Sequence, residues 1–421
     1  MFTVPSPLTT VPLLLALLAG TAQATPATAA LPEVGISPWG PKDEIGRLNL
    51  MTPASRTAIL ARIDGGKSYD LAVDFHIGMP SWQAAGDPPY QMWMTHTPKG
   101  NVVADSMRVG EQMNRHVSYT GSAVSMYAHM GTHIDALNHF GLNGKIWNGF
   151  TEAQYLGDRG WTVTGAEKLP PIVARGVLID VAVAKGLQQL PDNYRVTRQD
   201  LRAALAHQKV TLEKGDVVLI RTGRMQHYEQ AQAYMANPPG LSLDAAKFLV
   251  EDGGAMVVGA DNLSFEAFPS EVAGNYLPVH TYLLAQQGTP IMELVDLEAL
   301  SRDKVYQFAF IGASLKFRGG DAAPIRPVAL PIRQGQTAAA CKVAAPWSSQ
   351  ASAQRTTSPT TMMLGLPRPL ASKSCGKACK VLSNWRCAGK LADCTTATGV
   401  PGAMPPASKP AWMAATRATP M

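Results

Sequence analysis

The chain has 421 residues, a hydrophobic content of 46% and a formal net charge of +6. From residue 336 onward it carries ten Lys or Arg residues and one acidic residue, so the remainder has a net charge of −3. The excess of basic residues lies in the tail, so the net charge gives no support for nucleic-acid binding by the folded part. The stretch 31–335 is long enough for one large domain with a substantial core.

The first 30 residues are predicted to be a signal peptide. Residues 11–20 form a short apolar run, and Ala-Gln-Ala at 22–24 fits a small-residue cleavage site. The run is too short to span a membrane comfortably, although no Lys or Arg precedes it. We expect a secreted or periplasmic protein with no membrane span after cleavage. The alternative is a cytoplasmic protein whose first codon is misassigned.

The first part of the domain is predicted to contain a helix, a strand and a long loop. The helix is expected at 52–63, where Thr52 is a suitable N-cap and a proline occupies the first turn. The strand is expected at 67–78 and the loop at 78–98. Aromatic residues of this loop, including Trp82, would either wall an apolar substrate pocket or pack over the core.

Residues 129–139 read His-Met-Gly-Thr-His-Ile-Asp-Ala-Leu-Asn-His and contain three of the nine histidines of the chain. In a strand, residues at odd positions share one face. A straight strand would still spread this stretch over roughly 30 Å, too far for ligands at about 2.0–2.2 Å from one ion. The chain must therefore bend, and Gly131 and Asn138 tolerate the backbone angles required. The residues at odd positions that bear ligand atoms are His129, His133, Asp135 and His139.

This concentration of imidazole and carboxylate favours a metal site over a buried turn with hydrogen-bonded histidines. Neutral imidazole suits Zn, Fe, Ni or Cu, and a carboxylate also admits Mn. Since only a few ligands are local, an open position for water is expected, which is typical of catalytic rather than structural sites.

Beyond this motif, strand-like and helix-like segments alternate, which indicates an α/β domain. Thr197 and Ser242 are predicted to begin two of the helices. The nearly continuous apolar run at 215–223 predicts a strand that is buried on both faces. Strands are expected at 176–184, 215–223, 255–261 and 306–317, and helices at 197–208, 241–253 and 277–288.

The tail at 336–421 is predicted to be a low-complexity, disordered basic segment because it is biased toward Ala, Ser, Thr and Pro. All cysteines of the chain lie there, so the domain needs neither a disulfide nor a thiol nucleophile. A zinc knuckle is the alternative, but the cysteine spacing is irregular and no histidine completes it. The cysteines are Cys341, Cys375, Cys379, Cys387 and Cys394.

The motif at 129–139 resembles the H-x-G-T-H-x-D-x-x-x-H signature of the cyclase-like metal-dependent hydrolases. That family includes bacterial kynurenine formamidases, isatin hydrolases and trans-dienelactone hydrolases. Leu137 departs from the family pattern, in which proline is common, but it lies between the ligand positions. Further segments are similar to the family at 78–82, 175–181, 215–223, 257–266 and 280–297, and together they cover roughly residues 36–332.

The resemblance implies a swivelling β/β/α fold with a mixed sheet, and a homo-oligomer, either dimer or tetramer. It also implies that His129, His133 and Asp135 bind a first metal, Zn²⁺ or Mn²⁺. His280 and Glu293 have the spacing that completes a second metal site in binuclear members, with Asp135 as the bridge. The residues alone leave open whether these two groups instead find hydrogen bonds in the core. Whether one or two ions bind also stays open.

Other residues have candidate roles around this centre. His139 is the candidate catalytic proton shuttle, although it could also be a ligand. Thr132 is expected to orient a ligand or water through its hydroxyl. The resemblance places Trp82 in the substrate pocket. Asp261 and Glu266 are weaker candidates for a supporting or structural role.

The sequence therefore predicts a hydrolase in which a divalent ion activates water to cleave an amide, imide or lactone of a small molecule, often a cyclic one in this family. One alternative is an arylformamidase that acts on N-formylkynurenine-like substrates. The other is a non-catalytic exported protein that binds metal or a small molecule on the same scaffold.

Overall fold

In a computed structural model of the chain, residues 32–333 are described. The predicted signal peptide at 1–30 and the predicted tail at 336–421, with its five cysteines, lie outside the described residues. Among the helices of residues 32–333, none is long and apolar enough to cross a membrane.

A mixed β-sheet is the framework of the described part. The strands of the described part are β1 (Tyr69–Asp70), β2 (Gln91–His96), β3 (Gly121–Ser125), β4 (His133–Asp135), β5 (Leu156–Gly157), β6 (Gly160–Trp161), β7 (Ile172–Asp180), β8 (Arg195–Val196), β9 (Val217–Arg221), β10 (Gly240–Leu241), β11 (Val257–Ala260), β12 (Ile291–Glu293), β13 (Gln307–Gly312), β14 (Ala322–Pro324) and β15 (Val328–Pro331). Nine of them form the mixed sheet, in the order β1-β15-β13-β7-β9-β11-β12-β4-β14. In this sheet β7, β9, β11 and β12 are parallel neighbours, and the remaining pairs are antiparallel.

Short helices fill the connections. Two of them continue as a π-helical turn, at Phe248–Asp252 and Thr281–Gln286. The α-helices are α1 (Pro53–Leu60), α2 (Pro98–Ala104), α3 (Glu111–Asn114), α4 (Glu152–Tyr155), α5 (Val181–Ala184), α6 (Arg198–Gln208), α7 (Ala231–Met235), α8 (Leu243–Lys247), α9 (Pro278–His280) and α10 (Glu298–Arg302). Short 3₁₀ turns lie at Gly46–Leu50, Gln83–Ala85, Trp147–Gly149, Ala166–Lys168 and Arg224–His227.

Both faces of the central strands are buried, as the apolar run at 215–223 predicts. In β9, Val218 and Ile220 face one apolar cluster, which includes residues of α6 and α8. Val217 and Leu219 alternate with them and face a second cluster on the opposite side of the sheet. The α/β class with a mixed sheet is therefore confirmed.

The predicted helix starts are confirmed as well. The hydroxyls of Thr52, Thr197 and Ser242 accept hydrogen bonds from backbone N–H groups in the first turns of α1, α6 and α8. A cap of this kind satisfies a donor that has no partner within the helix.

The strand predicted at 67–78 is wrong beyond its first residues. Only Tyr69 and Asp70 pair in a ladder, with Ala329 and Val328 of β15. On the partner strand, the residue before Val328 is Pro327. Proline has no N–H to donate, so the regular ladder stops there.

The loop predicted at 78–98 is also partly wrong, because its second half forms β2. This strand pairs antiparallel with β3, a segment that begins 25 residues after β2 ends. The long separation between the two strands hides their pairing from local sequence patterns.

Candidate metal centre

The sheet brings the ligand-bearing side chains together at β4, which lies between β12 and β14. In the antiparallel register, His133 of β4 is opposite Glu293 of β12. Opposite residues of such a pair place their side chains next to each other on one face. Accordingly, His133 Nε2 lies 3.5 Å from Glu293 Oε2. Asp135, two residues after His133, faces the same side.

The backbone bends before β4 and returns His129 to this face. Gly131 has φ +58°, and a Cβ at this position would lie 2.3 Å from the Phe75 ring. Both the backbone angle and the space therefore require glycine. After the bend, His129 Nδ1 lies 2.8 Å from Asp135 Oδ1. The side chain of Asn138 donates a hydrogen bond to the Gly320 carbonyl at 3.3 Å.

Asp135 is the centre of the cluster. Its Oδ1 lies 3.4 Å from His133 Nε2, whereas its Oδ2 faces His280 Nε2 at 4.0 Å. Ligand atoms of His129, His133 and Asp135 all lie within 4.8 Å of one another, and the same is true of Asp135, His139 and His280. The two groups share Asp135, which is the arrangement required of a bridging carboxylate.

The hydrogen bonding of these atoms fits a cation. Both oxygens of Asp135, and Nε2 of His129 and of His133, are buried and make no hydrogen bond of normal geometry, although His129 Nδ1 lies 2.8 Å from Asp135 Oδ1. Buried polar atoms are normally satisfied, since leaving one unpaired costs about 1–3 kcal/mol. Bound divalent cations would satisfy these atoms, and imidazole with carboxylate is a donor set that suits Zn²⁺ and admits Mn²⁺.

His280 is held in place by Glu266. The Glu266 carboxylate lies 2.7 Å from His280 Nδ1, and it accepts hydrogen bonds from the backbone N–H groups of Val279 and His280. This arrangement directs Nε2 toward Glu293 Oε1, at 3.4 Å. A carboxylate that accepts from the second nitrogen of a ligating imidazole fixes its orientation and raises its basicity. Glu266 therefore has the supporting role expected for it.

We predict that Glu266→Gln weakens the binding of a second metal equivalent by about 10- to 100-fold. The glutamine amide would offer one acceptor oxygen to the three N–H donors that bond to the Glu266 carboxylate, which are those of Val279, of His280 and of the His280 ring. The ring of His280 would therefore lose its fixed orientation. The measurement is a Zn²⁺ titration of the metal-stripped full chain. Glu229→Gln is the matched control, because the side chain of Glu229 is 80% exposed. Unchanged affinity in Glu266→Gln would remove Glu266 from the site.

The electrostatics of the centre favour positive charge. Burial lowers the pKa of His129, but the carboxylates of Asp135 and Asp321 together outweigh this effect and the pKa rises to about 10. Burial likewise lowers the pKa of His280, and the carboxylates of Glu266 and Glu293 raise it to about 10. The surrounding carboxylates thus stabilise cationic charge, which a divalent ion would supply, and we expect its binding to release protons.

His139 differs from the other histidines. Its side chain is 18% exposed, whereas those of His129 and His133 are 4% and 0% exposed. The ring lies 4.0 Å from that of His129 and 4.8 Å from that of Phe140, between centroids. Burial and the positive charge of His129 lower its pKa to about 4. His139 is therefore a neutral imidazole, more exposed to solvent than the histidines beside it.

Asp321 is a site residue that the sequence interpretation missed. Its Oδ1 lies 3.4 Å from His129 Nε2, and its Oδ2 lies 3.9 Å from His139 Nδ1. The backbone carbonyl of Asp321 accepts a hydrogen bond from Ala136 just after β4, at 2.8 Å. The pairing of β14 with β4 brings Asp321 to the site. In the sequence Asp321 follows two glycines, a pattern typical of an ordinary turn.

Tyr127 was missed as well. Its ring lies 5.1 Å from that of His129, between centroids. Burial and the carboxylates of Asp87 and Asp321 raise the pKa of Tyr127, so the phenol stays protonated and can donate a hydrogen bond. Trp82 packs on the same side, against an apolar cluster that contains Met130.

Thr132 and Asp261 have structural roles. The Thr132 hydroxyl, expected to orient a ligand or water, instead donates to the Leu294 carbonyl at 2.6 Å and accepts from Val73 N–H. It thereby joins the motif to the end of β12. The Asp261 carboxylate accepts from the backbone N–H groups of Thr222 and Gly223 and fixes the turn after β9.

Comparisons with known proteins agree with this geometry. Residues 69–267 match the family model described as "Putative cyclase". Cyclase-like protein 3 from Oryza sativa subsp. japonica is 26% identical over 264 residues, which cover 62% of this chain and 79% of the relative. Cyclase-like protein 1 from Arabidopsis thaliana is 23% identical over 270 residues, which cover 62% and 84%.

A solved structure shows the same fold. The crystal structure of "a novel cyclase" is 27% identical in sequence and superposes with a TM-score of 0.62. The match covers 71% of this chain and 100% of that chain. The cyclase-like β/β/α layout with a mixed sheet is thereby confirmed.

Proposed function

We propose that this chain, a member of the cyclase family, is a metal-dependent hydrolase. One observation carries the proposal: the buried carboxylate of Asp135 lies among ligand nitrogens on two sides, with His129 Nδ1 at 2.8 Å and His133 Nε2 at 3.4 Å from Oδ1, and His280 Nε2 at 4.0 Å from Oδ2. A buried charge of this kind is stable only when it is paired or binds a metal.

The residues that would hold the metal fall into two groups. His129, His133 and Asp135 would form the first, and Asp135 with His280 and Glu293, whose Oε1 lies 3.4 Å from His280 Nε2, would form the second. His139, whose ligand atom also lies within 4.8 Å of those of Asp135 and His280, is assigned to proton transfer in this proposal. When bound, a divalent ion lowers the pKa of water to about 7 and polarises a substrate carbonyl. Whether Zn²⁺ or Mn²⁺ occupies the site, and whether one or two ions bind, are finer parts of the proposal that a metal analysis decides.

The other side chains supply proton transfer and binding. In the proposed reaction, His139 accepts the proton released as water attacks and returns it to the leaving nitrogen or oxygen. We propose that Tyr127, whose ring lies 5.1 Å from that of His129, donates a hydrogen bond from its hydroxyl to a substrate oxygen. Asp321 keeps the rings of His129 and His139 on the same side of the site.

The substrate is proposed to be a cyclic amide, imide or lactone. An apolar aromatic cluster adjoins the metal motif and includes Trp82, Phe75, Tyr90 and Tyr228. We propose that side chains of this cluster contact a planar ring and that the few polar groups at the centre fix its carbonyl. Export through the segment 1–30 remains a prediction from the sequence.

The test is hydrolysis of a substrate panel by the purified full chain, before and after chelation and after reloading with Zn²⁺ or Mn²⁺. Ring opening that is lost on chelation and restored by one metal supports the proposal. Preference for N-formyl aromatic amines would instead identify an arylformamidase. Metal binding without turnover of any member would favour a non-catalytic binding protein.

We predict that His139→Gln lowers kcat by about 10²- to 10⁴-fold, because proton transfer by a positioned group contributes that much. The metal content should stay within the error of the wild type, since the ligand groups His129, His133 and Asp135 remain intact. Steady-state kinetics and metal analysis of the same preparation measure both quantities. Loss of metal in this variant would show that His139 is a ligand and not a shuttle.

A further inference from the structure

A cavity that contains none of the proposed metal ligands lies beside Arg47, and we call it the Arg47 pocket. Its volume is about 440 Å³, within the range of about 300–1,000 Å³ that is typical of small-molecule sites. The segments before β9 and before β11 form two of its walls, and the Gly215 N–H joins them by donating to the Gly254 carbonyl at 2.9 Å. Residues whose side chains line the pocket include Arg47, Leu212, Lys214, Val250, Glu251 and Gln287.

The guanidinium of Arg47 is held in place by backbone groups. Its Nε donates to the Ala255 carbonyl at 2.7 Å, and its Nη2 donates to the Val250 carbonyl at 3.3 Å. The backbone N–H of Arg47 donates to the Gly288 carbonyl at 2.7 Å. Within residues 32–333 the third nitrogen, Nη1, makes no hydrogen bond. A planar guanidinium that is fixed in this way presents its free N–H groups in a geometry that suits a carboxylate or a phosphate.

The two cations of the pocket, Arg47 and Lys214, form no ion pair in the part of the chain that the structure describes. Arg47 is partly buried, and burial lowers its pKa, which the Tyr282 phenol opposes only in part. Arg221, in contrast, is buried beside two carboxylates, and they raise its pKa. Desolvating a cation without a partner costs free energy, and a bound anion would offset that cost at Arg47.

The carboxylates in and beside the pocket have partners outside its wall. These partners are a phenol hydroxyl in one case and arginines in the others, so the carboxylates do not neutralise Arg47 or Lys214. The unmatched charge at the pocket is therefore positive. The contacts are Glu251 with the Tyr282 hydroxyl at 2.8 Å, Asp252 with Arg198 at 2.9 Å and with Arg202 at 3.2 Å, Glu213 with Arg175 at 3.1 Å, and Asp216 with Arg175 at 2.9 Å.

We propose that the Arg47 pocket binds a small molecule that carries a carboxylate or phosphate group. The oxyanion would accept hydrogen bonds from Nη1 of Arg47 and from the ammonium of Lys214. The cavity is larger than an oxyanion alone requires, so the body of the molecule would contact Leu212 and the Gln287 amide. The inference goes beyond the proposed hydrolase function, because the pocket shares no residue with the candidate metal centre.

The test is calorimetric titration of the full chain with inorganic phosphate and, separately, with succinate, at constant ionic strength. We expect saturable binding of at least one of the two probes. Lys214→Gln should weaken this affinity by about tenfold or more, because it removes a charge-assisted hydrogen bond, and the fold does not depend on this exposed side chain. Arg47→Lys should weaken it as well, since an ammonium lacks the planar fork. Lys304→Gln is the matched control, because Lys304 is exposed outside the pocket, and it should bind as the wild type does.

The two probes distinguish the possible ligands. Tighter binding of phosphate supports a phosphorylated small molecule, and tighter binding of succinate supports a carboxylated one. A wild-type protein that binds neither probe saturably at millimolar concentration would overturn the proposal, as would unchanged affinity in Lys214→Gln. His133→Ala is titrated in parallel, because an anion can also bind to a metal ion. Probe binding that disappears in His133→Ala but persists in Lys214→Gln would place the anion at the metal centre and overturn the proposal. None of these results depends on whether the chain hydrolyses a substrate.

Discussion

Replacing His133 by alanine is expected to abolish hydrolysis and to remove most of the bound metal. His133 is fully buried, and its Nε2 lies between Asp135 Oδ1 and Glu293 Oε2, at 3.4 and 3.5 Å. Without this nitrogen, the first ligand group retains one imidazole and one carboxylate. We expect kcat/KM to fall on the order of a thousandfold or more, because the rate depends on activation by the ion.

The control for this variant is His207→Ala, since His207 lies exposed on α6 and far along the chain from the motif. It should keep wild-type metal content and rate. His133→Gln, which preserves more of the side-chain volume, should behave as His133→Ala does and guards against a packing effect. A His133→Ala protein with the wild-type rate and metal content would contradict the proposed ligand set.

Arg221→Ala is expected to lower the free energy of unfolding strongly, although Arg221 lies outside the metal centre. The Arg221 guanidinium is 4% exposed and binds the fully buried Asp180 at 3.1 Å. It also donates to both carboxylate oxygens of Glu298, at 2.8 Å each, and to the Gln188 carbonyl. Removing it leaves Asp180 as a buried charge without a cation, which costs about 3–5 kcal/mol of unfolding free energy.

Thermal and denaturant unfolding of the full chain measure this loss. A decrease of this size corresponds to a Tm lower by roughly 5–10 °C for a domain of this length. Arg202→Ala is the matched control, because Arg202 is 59% exposed and pairs with Asp252 on the surface. It should change the unfolding free energy by less than about 1 kcal/mol. Equal stability of the two variants would contradict the role given to Arg221.

Local chemistry explains why part of the fold could be predicted. The capping hydroxyls of Thr52 and Thr197 act within three residues of themselves, so the sequence contains the whole interaction. The apolar run of β9 likewise reports burial on both faces wherever the strand lies in the sheet. The strand predicted at 67–78 failed for the opposite reason: its end depends on Pro327, more than 250 residues away.

The candidate site likewise contains residues that local sequence reveals and residues that only long-range pairing brings together. His129, His133 and Asp135 lie within seven residues, so their spacing and the glycine between them indicate a shared site. His280 and Glu293 were linked to that site only through resemblance to a family. Asp321 could not be found from the sequence, because it reaches His129 only through the register of β14 against β4. The pairing of β2 with β3 was equally hidden, since β3 begins 25 residues after β2 ends and the two strands show no continuous pattern.

The central claim is that the cluster around Asp135 binds a divalent metal. The measurement that tests it most directly is elemental mass spectrometry of the purified full chain, reloaded with Zn²⁺ or Mn²⁺ and then desalted. Our account predicts close to one or two equivalents of one metal per chain, with the second equivalent weakened in Glu266→Gln. A folded wild-type protein that retains no stoichiometric metal after reloading with either ion would contradict it.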